Sequence, residues 1–348
     1  MKMKMNKAIV IWSILALALM CGAPGCVPIG AEMPTREIPT PTASRQIGEN
    51  RLGLREHWRA SKVHIVGGGY NPVLLALPGW VVHSKWNAEQ ITGQLQVRDA
   101  TDGNLVWEST EKQGLCVDFL AVDNKRVYVH DGNEILAYDL ESGERLWVSR
   151  VQWHRGYNLH LENGMLGVHN VQESEVHYLD VYTGEELDRV SLATEEGFLL
   201  LGRFPQMDLY RTPATLRAVD AATGQLLWET GGITAIWHTY TRPTLVNDVF
   251  LVGYGGGITV VDVQTGRIKW ENRGHFVSNF VAMNDALYAL DPHARLVRLD
   301  IETGQEIGYL QFTPDQTNYK ENRYWVASDG QRLFVYFGDS RELIALGP

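Results

Sequence analysis

Residues 220–228 read Asp-Ala-Ala-Thr-Gly-Gln-Leu-Leu-Trp, and related stretches recur along the chain. Three further copies keep the Asp, the Gly and the Trp at the same spacing, and they begin at Asp99, Asp139 and Asp262. Two degenerate copies keep the Asp and the Gly, but Asp188 and Gly308 stand where the Trp should fall. The glycines lie at positions 103, 143, 184, 224, 266 and 304. A spacing of about 40 residues with a fixed internal pattern indicates a repeat architecture.

Each copy has the chemistry of a tight turn between two strands. The Asp carboxylate can accept a hydrogen bond from a backbone N–H two residues on, and Thr or Ser supports the same turn. The Gly takes the positive φ that closes the turn. The strand that follows carries the Trp, which we expect to pack between repeats. We favour this structural interpretation over a catalytic or metal-binding one, because one active site does not need six copies of its acid.

Residues 1–26 are interpreted as an export segment. Lys2, Lys4 and Lys7 precede an apolar run over residues 8–20, which is shorter than the ~20 residues of a membrane-spanning helix and fits a secretory signal. Cys26 follows Ala-Pro-Gly, which resembles a bacterial lipoprotein cleavage box in the small residue before the Cys. Ala and Pro depart from that box, where Leu and a small residue are usual. Lipidation at Cys26 is favoured; conventional cleavage and an uncleaved anchor are the alternatives.

Residues 27–50 are predicted to be an extended linker. They hold four prolines among Thr, Ser and charged residues, without apolar periodicity. Such a composition does not bury enough apolar surface to fold by itself. We expect this stretch to hold the globular part of the chain off a surface.

Residues 51–348 are predicted to form an all-β, seven-bladed β-propeller. Each period of about 40 residues reads as four short strands, which is the content of one blade. The outer strands are expected at positions 58, 107, 147, 188, 228, 270 and 308. Arg55 to Trp58 reads as an outer strand without a blade of its own, and residues 332–346 lack an outer strand, so the N-terminal strand should close the last blade. The longer first interval indicates an insertion near residues 66–72.

The repeated signature resembles that of the pyrroloquinoline-quinone-type propeller family, whose units carry Asp-x-x-Thr-Gly followed by Trp. The resemblance covers residues 51–348 and implies the fold, whereas many members of the family bind no quinone. With its signal, stalk and propeller, the chain is similar to one type of member, the lipid-anchored propeller of the outer-membrane β-barrel assembly complex. It departs from that type in having seven predicted blades rather than eight.

Composition narrows the classes of partner. The chain is 45% hydrophobic with a formal net charge of −10, which argues against nucleic acid and an anionic membrane surface as partners. Only Cys116 falls within the predicted propeller, so no disulfide framework is expected there, and its apolar neighbours favour an inert buried thiol.

Candidate binding residues cluster in the connections from an outer strand to the next innermost strand. These connections are expected to meet at one mouth of the propeller, and they are rich in aromatic, His and Arg side chains, which often anchor interfaces. The candidates are Trp153, His154, Trp237, His238, His275, Tyr319 and Arg323. A metal site built from His154, His238 and His275 is an alternative, and ordinary packing between blades is another.

The sequence is compatible with two functions. The favoured one is an exported, non-catalytic scaffold, either tethered to a membrane as a lipoprotein or secreted, that binds a protein or peptide partner as a monomer and needs no cofactor. The alternative is a redox protein that resembles the dehydrogenases dependent on pyrroloquinoline quinone. The chain has no Cys-Cys pair, and the sequence assigns neither a carboxylate base nor a set of calcium ligands for the quinone.

Overall fold

The computed structural model describes residues 44–65, 73–87, 92–110, 112–113, 120–131, 134–150, 157–170, 175–191, 199–212, 215–233, 244–254, 257–273, 276–314 and 324–348. All of them belong to a compact unit that spans residues 38–348. The predicted export segment, Cys26, Cys116 and the predicted insertion at residues 66–72 lie outside the described residues. Over the ranges that are described, no helix has the length and apolar character of a membrane span.

The described strands form seven antiparallel sheets, and we number the blades in chain order. Two strands precede the first blade: β1 (Gln46–Asn50) and β2 (Arg55–Ala60). Blade 1 contains β3 (Leu74–Leu77), β4 (Trp80–Asn87), β5 (Thr92–Asp99) and β6 (Leu105–Glu108), with β7 (Lys112–Gln113) paired to β5. Blade 2 contains β8 (Leu120–Val122), β9 (Arg126–Asp131), β10 (Glu134–Asp139) and β11 (Arg145–Arg150). Blade 3 contains β12 (Tyr157–Glu162), β13 (Met165–Asn170), β14 (Glu175–Asp180) and β15 (Glu186–Ser191).

The remaining blades continue in the same order. Blade 4 contains β16 (Leu199–Phe204), β17 (Met207–Arg211), β18 (Thr215–Asp220) and β19 (Leu226–Gly231). Blade 5 contains β20 (Thr244–Val246), β21 (Val249–Tyr254), β22 (Gly257–Asp262) and β23 (Ile268–Asn272). Blade 6 contains β24 (Val281–Met283), β25 (Ala286–Leu290), β26 (Arg295–Asp300) and β27 (Glu306–Thr313). Blade 7 contains β28 (Tyr324–Ser328), β29 (Leu333–Phe337) and β30 (Glu342–Gly347).

The predicted closure of the ring is confirmed. Strand β2 pairs with β30, with Arg55 opposite Gly347 and Ala60 opposite Leu343, and so becomes the outer strand of blade 7. The predicted seven-bladed propeller is confirmed with it, since the described strands give seven sheets of this kind. Because β30 is buried along its whole length, an unpaired β30 would expose a long apolar edge.

A fifth strand on blade 6 was not expected. Strand β1, which falls inside the predicted linker, pairs with β27 through Gln46 opposite Thr313 and Ile47 opposite Phe312. The preceding residue, Arg45, is fully buried and forms an ion pair with Asp339. The last residues of the predicted linker are therefore part of the propeller.

The apolar core is divided among the seven contacts between neighbouring blades. Each contact has its own cluster of buried side chains: Leu310 and Phe337 meet between blades 6 and 7, for example, and Phe250 and Leu209 meet between blades 4 and 5. Along each strand, successive side chains point to opposite faces of the sheet. They therefore belong alternately to the cluster on one side of the blade and to the cluster on the other side. Every blade is thus stabilised by both of its neighbours.

Candidate functional site

The predicted binding residues Trp153, His154, Trp237, His238, His275, Tyr319 and Arg323 all lie outside the described residues. The strand bounds still confirm their place in chain order. Residues 151–156 lie between outer strand β11 and innermost strand β12, and residues 234–243 and 315–323 lie between the corresponding strands of later blades. The assignment of a binding role to these residues stays a prediction.

The strand ends that flank these connections lie on one face of the propeller. In blade 2, Glu134 pairs with both Arg150 and Asp131, so the end of the outer strand lies on the same face as the end of the second strand and the start of the third. The signature turn after Asp139 lies at the opposite end of the same strands. The two faces therefore carry different connections, and those on the predicted binding face vary more in length.

The signature turns on the other face have the predicted structure. In the fourth blade, the Asp220 carboxylate accepts hydrogen bonds from the backbone N–H of Ala222 at 3.1 Å and of Thr223 at 2.7 Å. Gly224 has a φ of 70°, a left-handed conformation that glycine adopts without a steric penalty. The six glycines of the signature all share such a positive φ.

These hydrogen bonds lower the pKa of the carboxylates of Asp220 and Asp139. The pKa of Asp220 lies below its ordinary value, because the Thr223 hydroxyl and then the Thr223 backbone N–H donate to the ionised form. The pKa of Asp139 is lowered in the same way, first by the backbone N–H of Ser142 and then by its hydroxyl. Both carboxylates are engaged in holding a turn, which supports the structural interpretation of the repeat.

At five contacts between blades, a Trp of the outer strand joins one blade to the next one. The indole N–H of Trp228 donates to the backbone carbonyl of Val263, at 2.7 Å, and Val263 directly follows the signature Asp of blade 5. The same bond runs from Trp147 to the carbonyl of Val181, at 3.0 Å. Equivalent bonds start from Trp58, Trp107 and Trp270 and end at Ala100, Leu140 and Ile301.

The ring of each Trp covers the signature glycine of the following blade. A Cβ atom placed on Gly266 would lie 2.5 Å from carbons of the Trp228 ring, and one on Gly184 would lie 2.5 Å from the Trp147 ring. Trp147 and Trp228 are buried and Trp270 is half-buried, as predicted for a packing residue. We call this arrangement of indole, glycine and carbonyl a tryptophan junction.

Two contacts between blades lack the Trp, and the chain covers one of them itself. Gly308 stands in the Trp position of β27, opposite Arg298. The side chain of Leu52, which follows β1, reaches within 3.1 Å of a Cβ atom placed on Gly308. Leu52 packs against the core between blades 6 and 7. An aliphatic side chain from the N-terminal segment thus covers the Trp position in this blade.

The second contact, between blades 3 and 4, is open. Asp188 occupies the Trp position of β15, opposite Tyr178, and its carboxylate turns back to accept the backbone N–H of Arg189 at 2.8 Å. Among the described residues, nothing lies within 4 Å of a Cβ atom placed on Gly224. Ala221 and Gly224 are both exposed. We call the space bounded by Asp188, Ala221 and Gly224 the open junction.

Polar side chains lie beneath the turns at this same contact. Glu162 is 5% exposed; it accepts a hydrogen bond from the Tyr178 hydroxyl at 3.3 Å and lies 3.3 Å from His160 Nε2. Burial raises the pKa of Asp208, the Arg203 guanidinium partly offsets this, and the Glu162 carboxylate adds to it. The contact between blades 3 and 4 is therefore partly polar, and among the described residues its buried apolar cluster holds only Val176, Tyr178 and Leu200.

Three histidines of the predicted binding face are the candidate ligands of a metal site. In the part of the chain that the structure describes, no group of three His, Cys, Asp or Glu side chains is placed to hold a metal ion. Since His154, His238 and His275 lie outside that part, the metal-site hypothesis stays untested.

Sequence comparison matches most of the propeller to one family. The family described as outer membrane protein assembly factor BamB matches residues 55–197 and 172–323. A protein of that name from Shewanella oneidensis is 23% identical over 225 residues, which cover 62% of this chain and 48% of the relative. Its counterpart from Yersinia pestis is 22% identical over 285 residues, which cover 74% of this chain and 70% of the relative. The chain thus spans about half the length of the first of these relatives.

A solved structure agrees with the fold. The computationally designed Ika8 protein is 16% identical to this chain, with a TM-score of 0.51, over 82% of this chain and 98% of that one. At this identity the likeness concerns the propeller fold alone.

Proposed function

Because the chain belongs to the family of outer membrane protein assembly factor BamB, we propose that it is an exported, non-catalytic scaffold in outer membrane protein assembly. It would be tethered through the segment that contains Cys26 and would bind a protein partner. The relatives are named for assembly of outer membrane proteins, and it is this activity that we carry over to the chain.

The proposal is supported by the difference between the two faces of the propeller, one with regular turns and the other with variable connections. The signature turns repeat with the same backbone hydrogen bonds, and five of them contact a neighbouring Trp. On the opposite face, the connections differ in length from blade to blade. The connection between β11 and β12 spans residues 151–156, whereas the one between β19 and β20 spans residues 232–243. Variable connections on a rigid scaffold are where proteins usually place binding groups.

Deletion of the gene in its own organism tests the role. We expect a reduced amount of folded outer membrane proteins, restored by the wild-type gene and not by a variant with Trp153→Ala and Trp237→Ala. A variant with Glu141→Ala and Glu302→Ala, on the signature face, is the matched control and should restore the wild-type level. Full restoration by the tryptophan variant would show that the partner does not bind at the predicted face.

Chemical reconstitution distinguishes the scaffold from the redox alternative. The purified chain is mixed with pyrroloquinoline quinone and calcium, and absorbance and dye reduction are recorded. The scaffold proposal expects neither a new absorbance band nor turnover. Stoichiometric quinone binding with dye reduction would replace the proposal by the dehydrogenase-like alternative.

A further inference from the structure

We propose that the open junction between blades 3 and 4 binds a tryptophan side chain presented by a protein partner. The chemistry of the site is shown by the rest of the ring. At five other contacts, the same backbone surface of glycine and carbonyl is covered by an indole from the preceding blade. The open junction offers this surface to solvent, and it lies on the face opposite the predicted rim.

The backbone of the open junction is already in the conformation that accepts an indole. The φ of Gly224 is 70°, and that of Gly266, which lies under Trp228, is 69°. The turn around Gly224 also has the same hydrogen bond from Gly to Asp, with Gly224 N donating to the Asp220 carbonyl at 2.8 Å and Gly266 N to the Asp262 carbonyl at 2.9 Å. A ligand would therefore meet a site that needs no rearrangement of the turn.

Exposure distinguishes this site from its five counterparts. The residue after the signature Asp supplies the carbonyl that accepts the indole N–H. It is half-buried at Val263 and buried at the other four positions, which are Ala100, Leu140, Val181 and Ile301. Its counterpart Ala221 is exposed. Gly224 is likewise exposed, whereas the covered glycines are buried or half-buried. The open junction thus presents the exposed backbone of Gly224 beside the Ala221 carbonyl, which are the groups that meet the face and the N–H of an indole at the other contacts.

The charge at the rim of the open junction does not oppose this ligand. Asp188 is the residue that replaces the Trp, and its carboxylate already accepts the N–H of Arg189. A neutral indole that enters from solvent would leave this hydrogen bond in place. At Gly308, by contrast, Leu52 fills the Trp position from within the chain.

The test uses the full chain with ¹⁵N-labelled glycine, so that the amide signal of each glycine is followed by NMR. N-acetyl-tryptophanamide is titrated into the protein, and N-acetyl-leucinamide serves as the apolar control without an indole. We expect the amide signal of Gly224 to shift with a Kd of about 1 mM, as for a small fragment. The signals of Gly103, Gly143, Gly184, Gly266 and Gly304 should stay in place, because their surfaces are already covered.

Two variants block the site in different ways. Asp188→Trp restores the missing indole, so the Gly224 signal should move upfield without ligand, as expected for a glycine above an aromatic ring. In this variant the Kd for N-acetyl-tryptophanamide should rise at least tenfold. Gly224→Asn keeps a residue that tolerates the left-handed backbone and fills the space with a side chain. It should abolish binding, measured by saturation transfer to the ligand, even if Asp188→Trp does not fold.

Three outcomes would overturn the proposal. The Gly224 signal fails to shift in the wild-type protein, it shifts equally with N-acetyl-leucinamide, or binding persists in both blocked variants. None of these readouts depends on Trp153, Trp237 or the predicted rim, so this test and the test of the proposed function can fail separately.

Discussion

The ring of Trp228 lies so close to Gly266 of the next blade that a Cβ atom on this glycine would stand 2.5 Å from two ring carbons. Gly224 has the same turn and almost the same φ, and no atom in the described part of the chain lies within 4 Å of its Cβ position. At Gly224, the left-handed backbone alone favours glycine. At Gly266, the left-handed backbone and the close approach of a ring both favour it.

Alanine at these two positions should have unequal effects. Gly224→Ala is expected to lower the free energy of unfolding by about 1–2 kcal/mol, because only the left-handed backbone is strained. Gly266→Ala carries the same strain and also forces the Trp228 ring to move, which adds about 1–3 kcal/mol. Urea unfolding of both variants measures the difference. Equal losses would mean that the ring adapts without cost.

Replacing the ring tests the tryptophan junction from its other side. Trp228→Ala removes a buried aromatic side chain and should lower the free energy of unfolding by about 3–5 kcal/mol. Trp228→Phe keeps a ring but leaves the Val263 carbonyl without its donor, which should cost about 1–3 kcal/mol. A loss below about 1 kcal/mol for the alanine variant would contradict a packing role.

Truncation tests the two N-terminal strands separately. A chain that begins at Arg51 loses β1 and Arg45 but keeps β2, so it should fold with a lowered melting temperature. A chain that begins at Ser61 also loses β2 and exposes the edge of β30, and we expect aggregation or loss of cooperative unfolding. Light scattering and thermal unfolding distinguish these results. Unchanged melting of the shorter chain would rule out closure by β2.

Acid should destabilise the propeller through two buried histidines. Burial lowers the pKa of His83 to about 3 and that of His130 to about 4. Since both groups titrate near 6.5 when unfolded, the folded state binds fewer protons between these values. Stability is therefore full above pH 6.5 and falls as the pH drops towards 4, by up to ~1.4 kcal/mol per pH unit for each histidine.

The variant His83→Gln checks the source of this slope. In the wild-type protein, His83 Nδ1 donates to the Ser84 carbonyl at 2.9 Å and Nε2 accepts from Arg98 at 3.1 Å. An amide can accept from Arg98 but does not titrate. Urea unfolding at pH 8 and pH 5 should show a smaller loss in the variant than in the wild-type protein. An unchanged slope would assign the acid sensitivity to other groups.

Local patterns were sufficient to predict the turns and the number of blades. The hydrogen bonds of Asp220 and the φ of Gly224 follow from residue chemistry within a few positions. The destination of each Trp was predicted only as packing between blades, because its contact with a glycine about 40 residues away depends on how two sheets meet. Strand β1 was missed since Gln-Ile-Gly-Glu-Asn has no alternating apolar pattern, and it is held by pairing with the edge of β27.

The candidate sites differ in how much the sequence reveals. Asp188 and Gly308 both break the Trp pattern in the same way, and the sequence alone does not distinguish them. Only the fold shows that Leu52 covers the Trp position at Gly308, whereas the contact at Asp188 remains open. The residues predicted on the opposite face, such as Trp153 and Trp237, lie outside the described residues, so their role rests on sequence reasoning.

The pairing of β2 with β30 also sets the order of events when the chain is made. Ribosomes and export channels release the N-terminus first, so Ala60 leaves roughly 280 residues before Glu342, a delay of tens of seconds at ~5–20 residues per second. During that interval β2 has no partner, and the six other outer strands are already able to pair within their own blades. The ring is therefore sealed only after β30 has emerged, and a chain released before that point is left with an unsealed edge.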